Sequence, residues 1–236
     1  MTVLITRPLA AAKRTEQTFQ SAGITTWLAP VLAIIPIPAT INPIAYDAII
    51  TTSGNGVESF AIHTQNRDLS IFCAGAVSAA IARELGFQSI SYPDIPGAKD
   101  LITLVKHSSF KRLGYIRGEV VKIDIAEELA NIPGMHIDTH ITYKTVPTTD
   151  WSHETVGLFH AKKVTAITFY SEHSARIILD LLKSHSLLYY TSSITALCLS
   201  DAISDIIQMN IWKNIVIGST SEELAANLLE TSVKVG

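Results

Sequence analysis

Cysteine is nearly absent from this sequence, which contains only Cys73 and Cys198 among its 236 residues. Two residues can form neither the disulfide framework of a small secreted protein nor a zinc site with four cysteine ligands. Each cysteine lies in a short apolar run that is typical of a strand, "SIFCAG" for the first and "TALCLS" for the second. Because free cysteine is among the most frequently buried residue types, we predict that both pack in a hydrophobic core.

Long apolar segments and an excess of positive charge are also missing. No stretch reaches the roughly 18 to 20 apolar residues that a membrane-spanning helix needs, and the start, "MTVLITR", becomes polar too early for a signal peptide. We therefore expect a cytoplasmic protein without a membrane partner.

The sequence has 18 lysine and arginine residues and 21 acidic residues, which give a net charge of −3. This balance argues against nucleic acid as a partner, and we expect a monomer.

The motifs that bind common cofactors are absent as well. The segment "TSGNG" lacks the full dinucleotide fingerprint, and no Gly-Lys-Ser/Thr ending marks a phosphate-binding loop. His136 and His140 are four residues apart, but they fall in a segment that we interpret as a strand, where this spacing separates them along the chain. No serine has the flanking pattern of a nucleophile elbow. The sequence therefore predicts a protein that uses no metal and no cofactor.

What the sequence does contain is a regular alternation of short apolar runs and helical patterns. "TVLIT" precedes "LAAAKRTEQTFQSAG", "YDAIITT" precedes "GNGVESFAIH", and "GYIR" precedes "GEVVKIDIAEEL". The alternation returns later, where "VTAITFY" precedes "SEHSARIILDLLKSH" and "NIVIGS" precedes "TSEELAANLLE". This pattern is typical of parallel sheets built from βα units, so we predict the α/β fold class with flavodoxin-like sheets.

Internal repeats indicate two similar units. The segment "YDAIITTSGNGVESF" aligns with "VTAITFYSEHSARII", which places Ser53 against Ser171. The opening "LITRPLAAAKRTEQTF" resembles "GYIRGEVVKIDIAEEL", which places Arg7 against Arg117. The order of the repeated segments is permuted, so the first strand and helix are expected to belong with the C-terminal part of the chain.

The predicted domain organisation follows from this permutation. Residues 1–31 and 148–236 are expected to form one discontinuous α/β domain, and residues 38–136 a second domain inserted in it. Residues 32–37 and 137–147 are extended and bounded by prolines, and no amphipathic helix follows them promptly. We predict that they form two crossing linker strands.

Small polar residues and arginines follow the predicted strands, at the edge where parallel sheets bind ligands. Helix starts at this edge present free N–H groups to anions, and two facing units would direct them into one cleft that suits a large molecule with several carboxylates. For each corner taken alone, N-capping without ligand contact is the alternative, and for the two arginines the alternative is neutralisation of neighbouring acids. The candidate substrate-binding residues are Arg7, Ser53, Asn55, Gly75, Ser78, Arg117, Gly118, Ser171, Ser200 and Thr220.

The order and spacing of several segments resemble one known family. These segments are "VLITRP", "YDAIITTSGNGVESF", "CAGAVSAAIARELGF", "YIRGE", "ITYKT", "ITFYSEHSARII" and "CLSDAIS". Together they resemble uroporphyrinogen-III synthase over nearly the whole chain. The resemblance implies two α/β domains with a two-stranded linker. It also implies cyclisation of hydroxymethylbilane to uroporphyrinogen III, with loss of water and inversion of ring D through a spiro intermediate, and no metal or redox group.

The resemblance also implies roles for individual residues. Tyr143 matches the tyrosine that faces the cleft in this family, which makes it our candidate proton donor. Ser78 stands where a threonine is usual and keeps the hydroxyl. Ala202 and Ile203 stand where many relatives have threonines, so Ser200 or the backbone N–H groups must serve there.

Two alternatives belong to other functional classes. A non-catalytic bilobed protein that closes on a small anion would share the paired α/β units and the crossing strands. An α/β enzyme of sugar or nucleotide metabolism would need a phosphate loop or paired acids, and we find neither in the sequence. Only a synthase would raise the yield of the type III isomer from hydroxymethylbilane.

Overall fold

The chain folds as two units. A computed structural model describes residues 1–208 and 211–233. Contacts between residues divide the chain into unit 1, which consists of Met1–Ala33 and Val146–Gly236, and unit 2, which consists of Ile34–Thr145. Unit 2 is therefore an insertion in unit 1.

Strands and helices alternate along the chain. The strands are β1 (Thr2–Ile5), β2 (Thr25–Leu28), β3 (Leu32–Pro36), β4 (Ala48–Thr51), β5 (Ser70–Cys73), β6 (Ile90–Ser91), β7 (Arg112–Gly118), β8 (His136–Pro147), β9 (Val164–Phe169), β10 (Thr195–Cys198) and β11 (Asn214–Ile217). The helices are α1 (Leu9–Ser21), α2 (Gly54–Ala61), α3 (Ala76–Glu84), α4 (Ala98–Lys106), α5 (Ile125–Leu129), α6 (His153–His160), α7 (Glu172–Ser184), α8 (Asp201–Ile207) and α9 (Ser221–Val233). Within the described residues, no helix is both long and apolar enough to cross a membrane.

The described strands of unit 1 form a parallel sheet in the order β11-β10-β9-β1-β2. Alternate residues of β1 point to opposite faces of this sheet, because side chains alternate along a strand. Val3 and Ile5 belong to the core with α1 and α9, whereas Leu4 belongs to the core with α7 and α8. Helices cover both faces, which explains why β10 is buried at every residue.

The described strands of unit 2 form a sheet in the order β3-β8-β7-β4-β5-β6, and the pairs from β8 to β6 are parallel. Ile49 of β4 packs with α2 and α3 on one face of the sheet. Ile50, the next residue, packs with α4 and α5 on the other face. The predicted α/β fold class, with two similar parallel-sheet units, is confirmed.

Two strands carry the chain from one unit to the other. Both β3 and β8 cross the boundary between the units. They are neighbours in the sheet, and the Ile37 N–H donates a hydrogen bond to the Thr142 carbonyl at 2.8 Å. The long strand β8 extends over 12 residues. This pair is the two-stranded linker of the predicted fold.

The helix after β7 is much shorter than the sequence predicted. We expected a helix along "GEVVKIDIAEEL", but only Ile125–Leu129 is helical. Asp124 is the N-cap of this helix, and its carboxylate accepts the Ala126 N–H at 3.0 Å. The β-branched residues Val120 and Val121 precede the cap, and such residues have low helix propensity. The structure also adds β2, β6, α4 and α6, for which we made no prediction.

Both cysteines lie in the hydrophobic core, as predicted. The side chains of Cys73 and Cys198 are 0% exposed. Burial raises the pKa of the Cys73 thiol to about 11 and that of the Cys198 thiol to about 12. Because a nucleophilic cysteine must be a thiolate, neither residue is suited to covalent catalysis at neutral pH.

Each sheet contains a point where the strand order reverses. In unit 1, β1 and β9 are neighbours, and the helices that follow them, α1 and α7, pack on opposite faces. In unit 2, the same relationship holds for β4 and β7, which are followed by α2 and α5. Ligands of open α/β sheets bind beyond the carboxyl ends of the strands at such points. The residues that follow these strands are therefore the first place to search for a site.

Candidate functional site

A pocket lies at the carboxyl edge of the unit 2 sheet, where three helices begin. Its volume is about 410 Å³, and it is lined by residues 52–54, 74–78, and 96 and 97. These segments contain the first residues of α2 and α3 and their N-caps, together with the N-cap of α4. The first N–H groups of a helix have no partner within it, and the helix dipole makes this end positive. The pocket is therefore suited to anions.

Two glycines leave the starts of α3 and α4 without a side-chain cap. Gly75 and Gly97 occupy the N-cap positions, and no side-chain hydrogen bond caps either helix. A Cβ atom on Gly75 would lie 3.0 Å from the Cβ of Pro96, so a larger residue would crowd the pocket wall. Gly97 has a φ of +155°, which favours glycine. The backbone N–H groups at both starts can therefore approach a ligand closely.

The α2 start is different, because a serine side chain caps it. The Ser53 hydroxyl accepts the Gly56 N–H at 3.1 Å and lies 2.8 Å from the Tyr143 hydroxyl. A hydroxyl group both donates and accepts hydrogen bonds, so Ser53 satisfies the helix start and orients the phenol at once. The hydrogen bond brings a residue of β8 to the wall of the pocket.

Close packing on a glycine also fixes Tyr143. Gly118 pairs with Tyr143 across β7 and β8, and the register shifts between Arg117 and Gly118. A Cβ atom on Gly118 would lie 2.7 Å from Cε2 of the Tyr143 ring. Only glycine leaves room for the ring in this position. Such irregularities are frequent next to active sites, where they direct a side chain.

Arg117 is already neutralised within unit 2. Its Nη2 atom lies 3.5 Å from Oδ2 of Asp124, and both side chains are largely buried, at 15% and 21% exposure. The Arg117 Nε atom is buried and has no hydrogen-bond partner among the described residues. The ion pair holds the guanidinium beside the end of β7, with one donor group still unsatisfied.

The carboxyl edge of the unit 1 sheet carries a second set of polar groups. The Arg7 guanidinium lies over the Tyr170 ring, with Cζ 4.4 Å from the ring centroid. Ser171 caps α7 in a capping box with Ser174, and Thr220 accepts the Glu223 N–H at 3.1 Å. Ser200 is the N-cap of α8 but makes no side-chain capping bond. Ser171 and Thr220 use their hydroxyls to cap a helix, whereas the Ser200 hydroxyl does not cap α8.

The sequence matches the family model "Uroporphyrinogen-III synthase HemD" over residues 13–226. This match covers most of the chain. The chain belongs to the uroporphyrinogen-III synthase family. Comparison with curated proteins found no match.

Solved uroporphyrinogen-III synthase structures share the fold of this family member. The enzyme of Helicobacter pylori is 14% identical, with a TM-score of 0.58, over 100% of this chain and 99% of that one. A mutant enzyme of Thermus thermophilus is 14% identical, with a TM-score of 0.54, over the same shares of both chains. At 14% identity, similarity to these solved structures is evidence for the fold alone. The evidence for the function is the match to the family model.

The structure brings some of the predicted synthase site residues together. Ser53, Gly75 and Ser78 line the unit 2 pocket, and Tyr143 and Gly118 contact one another beside Ser53. Ser78 is buried, and its hydroxyl donates to the Gly75 carbonyl at 3.0 Å. Its hydroxyl is thus used within α3, which leaves its N–H group for a ligand.

The other predicted residues lie outside this pocket. Asn55 is the second residue of α2 and is half-buried, but it does not line the pocket. Arg7, Ser171, Ser200 and Thr220 all belong to unit 1.

The two histidines that we considered as a metal pair, His136 and His140, both lie in β8, as predicted for a strand. His140 lies 2.7 Å from the Tyr46 hydroxyl. Among the described residues, no group of three His, Cys, Asp or Glu side chains could hold a metal ion.

Several residues of the unit 2 pocket and of the unit 1 sheet edge were not among those predicted from the sequence. Pro96 and Gly97 line the pocket, but β6, which precedes them, has only 2 residues and produces no apolar run. The Pro-Gly pair before the amphipathic segment "AKDLITLVK" was the available signal. Tyr170 follows β9 directly and stacks on Arg7; its position at a strand end could have identified it.

Proposed function

We propose that the chain cyclises hydroxymethylbilane to uroporphyrinogen III, with loss of water and inversion of ring D through a spiro intermediate. It is a lyase of tetrapyrrole and haem biosynthesis. The match to the family model over residues 13–226 is the observation that carries this function. The pocket at three helix starts supports it, because the substrate carries acetate and propionate groups on its pyrroles and backbone N–H groups bind carboxylates.

A site made of helix starts suits a polyanionic substrate in a protein of this composition. The net charge is −3, so no general positive field attracts the substrate. Three helix N-termini within one pocket concentrate partial positive charge and N–H donors locally instead. The reaction needs no covalent nucleophile. It needs a substrate conformation that favours the spiro route over direct ring closure, which is catalysis by positioning.

We assign the role of proton donor to Tyr143. A departing hydroxyl needs a proton to leave as water, and a phenolic hydroxyl can donate one. The hydrogen bond to Ser53 and the packing on Gly118 support this role, because they direct the phenol from two sides. Loss of water gives an azafulvene, attack at the substituted carbon of ring D gives the spiro intermediate, and fragmentation followed by reclosure inverts the ring.

The proposed substrate-binding residues lie on both units. They are Ser53, Asn55, Gly75, Ser78, Arg117 and Gly118 in unit 2, and Arg7, Ser171, Ser200 and Thr220 in unit 1. At Ser78 and Gly75 we propose backbone N–H contacts, since neither has a free hydroxyl to offer. We further propose that the enzyme acts as a cytoplasmic monomer, without a metal, a cofactor or a nucleic-acid partner.

The decisive experiment measures the isomer that the protein produces. Freshly prepared hydroxymethylbilane is incubated with the purified chain, and the oxidised products are separated into type I and type III uroporphyrins. We expect type III to predominate with active protein, and type I to predominate with heat-inactivated protein. A non-catalytic anion-binding protein would bind the substrate and leave type I as the product. That outcome would reject the proposed function.

A further inference from the structure

Among the described residues of unit 1, no carboxylate forms an ion pair with Arg7, although the charge of Glu222 opposes the lowering of its pKa by burial. Arg7 is half-buried, and its Nη1 atom donates to the Thr15 hydroxyl at 3.3 Å. Throughout residues 1–208 and 211–233, the ion pairs involve other groups, and none includes Arg7. A guanidinium has five N–H donors. Most of the hydrogen-bonding capacity of Arg7 is therefore available to a ligand.

Arg7 and Arg117 differ in the side chain that each guanidinium contacts. The two arginines occupy matching places in the internal repeat, but Arg117 pairs with Asp124 at 3.5 Å. In place of a carboxylate, Arg7 has the aromatic ring of Tyr170. An aromatic ring orients a guanidinium without neutralising its charge. Burial lowers the pKa of Arg7 and the neighbouring Tyr170 opposes this shift, yet an arginine stays protonated at neutral pH.

The backbone around this pair is held firmly. Thr6 and Thr168 tie β1 to β9 where the strands end: the Thr6 hydroxyl donates to the Thr168 carbonyl at 2.6 Å, and the Thr6 N–H donates to the Thr168 hydroxyl at 3.2 Å. Arg7 and Tyr170 follow these threonines by one and two residues. The Tyr170 hydroxyl also lies 2.9 Å from the Ser221 hydroxyl at the start of α9. The ring is therefore fixed at both of its ends.

We propose that Tyr170 is a positioning residue, which holds the Arg7 guanidinium at the carboxyl edge of the unit 1 sheet so that it binds one carboxylate of the substrate. This inference rests on the proposed function, which supplies a substrate with several carboxylates. A planar guanidinium can bind a carboxylate through two parallel N–H bonds. Its place at the strand-order reversal of the sheet is where ligands of such sheets bind.

The test compares variants of the ring and of the cation in the full chain. Arg7→Ala should raise KM for hydroxymethylbilane roughly 10- to 100-fold, the effect of losing a charged hydrogen-bonded pair. Tyr170→Leu should raise KM on the order of tenfold, while Tyr170→Phe, which keeps the ring face, should stay within about threefold of the wild type. Tyr189→Leu, which removes an exposed ring of unit 1, is the control and should leave KM unchanged.

A double variant separates positioning from a general structural role. If Tyr170 acts through Arg7, Tyr170→Leu should have no further effect on KM in the Arg7→Ala background. A purely structural tyrosine would raise KM by the same factor in both backgrounds, and this result would overturn the inference. Unchanged KM in the single variant Tyr170→Leu would overturn it as well.

Two further controls keep the test decisive. Wild-type protein that produced no excess of type III would reject the proposed function itself, whereas wild-type activity combined with an unaffected Tyr170→Leu would reject only the present inference. If Tyr170→Leu does not fold, as judged by circular dichroism, Tyr170→Met replaces it, because methionine fills irregular gaps and still lacks an aromatic face. That variant and Arg7→Lys, which loses the planar fork, should each raise KM. Unchanged KM in both would contradict the assignment.

Discussion

The Ser53 hydroxyl lies 2.8 Å from the Tyr143 hydroxyl and also accepts the Gly56 N–H in the first turn of α2. One side chain thus connects a helix start in the pocket wall to the tyrosine of the linker strand β8. Removing the Ser53 hydroxyl breaks both hydrogen bonds, whereas removing the Tyr143 hydroxyl breaks only the bond between the two side chains. The capping bond contributes to stability, whereas the bond to the phenol contributes to its orientation.

Replacing Tyr143 with phenylalanine should lower kcat while leaving substrate binding largely intact. The variant keeps the ring that packs on Gly118 and loses only the hydroxyl. We expect kcat to fall about 10- to 100-fold, which is at or below the lower limit of the usual effect of a general acid, because positioning supplies much of the catalysis. KM should stay within about twofold. Steady-state kinetics with isomer analysis measures both constants.

The control for this variant removes a tyrosine hydroxyl from another surface. Tyr189 is 82% exposed and belongs to unit 1, so Tyr189→Phe should match the wild type in kcat and KM. An unchanged kcat in Tyr143→Phe would remove the phenol from the mechanism.

Replacing Ser53 with alanine should reduce both stability and activity. Loss of an N-cap typically costs about 1 kcal/mol of folding free energy, and the phenol of Tyr143 loses its partner. Ser152 provides the matched control, because its hydroxyl caps α6 by accepting the Thr155 N–H at 3.3 Å. Ser152→Ala should lose a similar free energy of unfolding in urea but keep its kcat. Equal activity losses in the two variants would show that the effect of Ser53 is one of stability alone.

The βα corners of the site could be predicted because each has a local signal. At Ser53 a buried strand, a small polar residue and a helical pattern follow one another directly, and the structure has β4, an N-cap and α2 there. The start of α4 carries no such signal, since β6 contributes only 2 residues. The Pro96-Gly97 pair was the one sequence signal there, and only the fold shows that Gly97 lines the same pocket as Gly75 and Ser53.

The partners of Arg7 and Arg117 could not be predicted. Arg7 and Arg117 occupy matching places in the repeat, and the sequence gives no reason to distinguish them. Their surroundings differ because Tyr170, which follows β9, packs on Arg7, whereas Asp124, the N-cap of α5, pairs with Arg117. The short length of α5 has a local cause. A capping aspartate and two preceding valines outweigh the amphipathic pattern that suggested a longer helix.

A negative charge at Val77 should separate helix stability from substrate binding. Val77 lies in the first turn of α3, lines the pocket and is 70% exposed. Val77→Asp should keep or slightly raise the free energy of unfolding, by about 0.3 to 1 kcal/mol, because an acidic residue favours the start of a helix. The same charge should repel the substrate carboxylates and raise KM about fivefold at low salt.

The neutral variant Val77→Asn controls for the loss of the apolar side chain. The difference in KM between Val77→Asp and Val77→Asn should narrow as sodium chloride is added, since salt screens exposed charges. Equal KM values in the two variants at low salt would mean that the substrate carboxylates do not approach this helix start.

The carboxylate of Asp47 should make stability depend on pH in the acid range. Asp47 accepts the N–H groups of Arg112 and Lys111 at 2.9 and 3.1 Å, and it pairs with the Arg112 side chain at 2.8 Å. The backbone hydrogen bond from Arg112, then its side chain and then the Lys111 N–H, lower the pKa of Asp47 to about 2. The unfolded chain has the ordinary value of about 3.9. The carboxylate is therefore stabilised by folding at any pH above both values, and this contribution is lost as the pH falls from about 4 to about 2.

Asp47→Asn tests this dependence directly. Its urea unfolding midpoint should lie below that of the wild type at pH 7, and the gap should narrow as the pH falls below about 4, because the wild-type carboxyl then takes up a proton. Asp180→Asn is the control, since Asp180 lies on the exposed side of α7 and its side chain makes no hydrogen bond among the described residues. The unfolding midpoint of Asp180→Asn should equal that of the wild type at every pH. The difference in unfolding midpoint between the wild type and Asp47→Asn could instead stay constant down to the lowest pH at which both proteins fold. That result would show that proton uptake at Asp47 does not contribute to acid sensitivity. The hydrogen bonds from Lys111 and Arg112 would then stabilise β7 equally well without a charge on their acceptor.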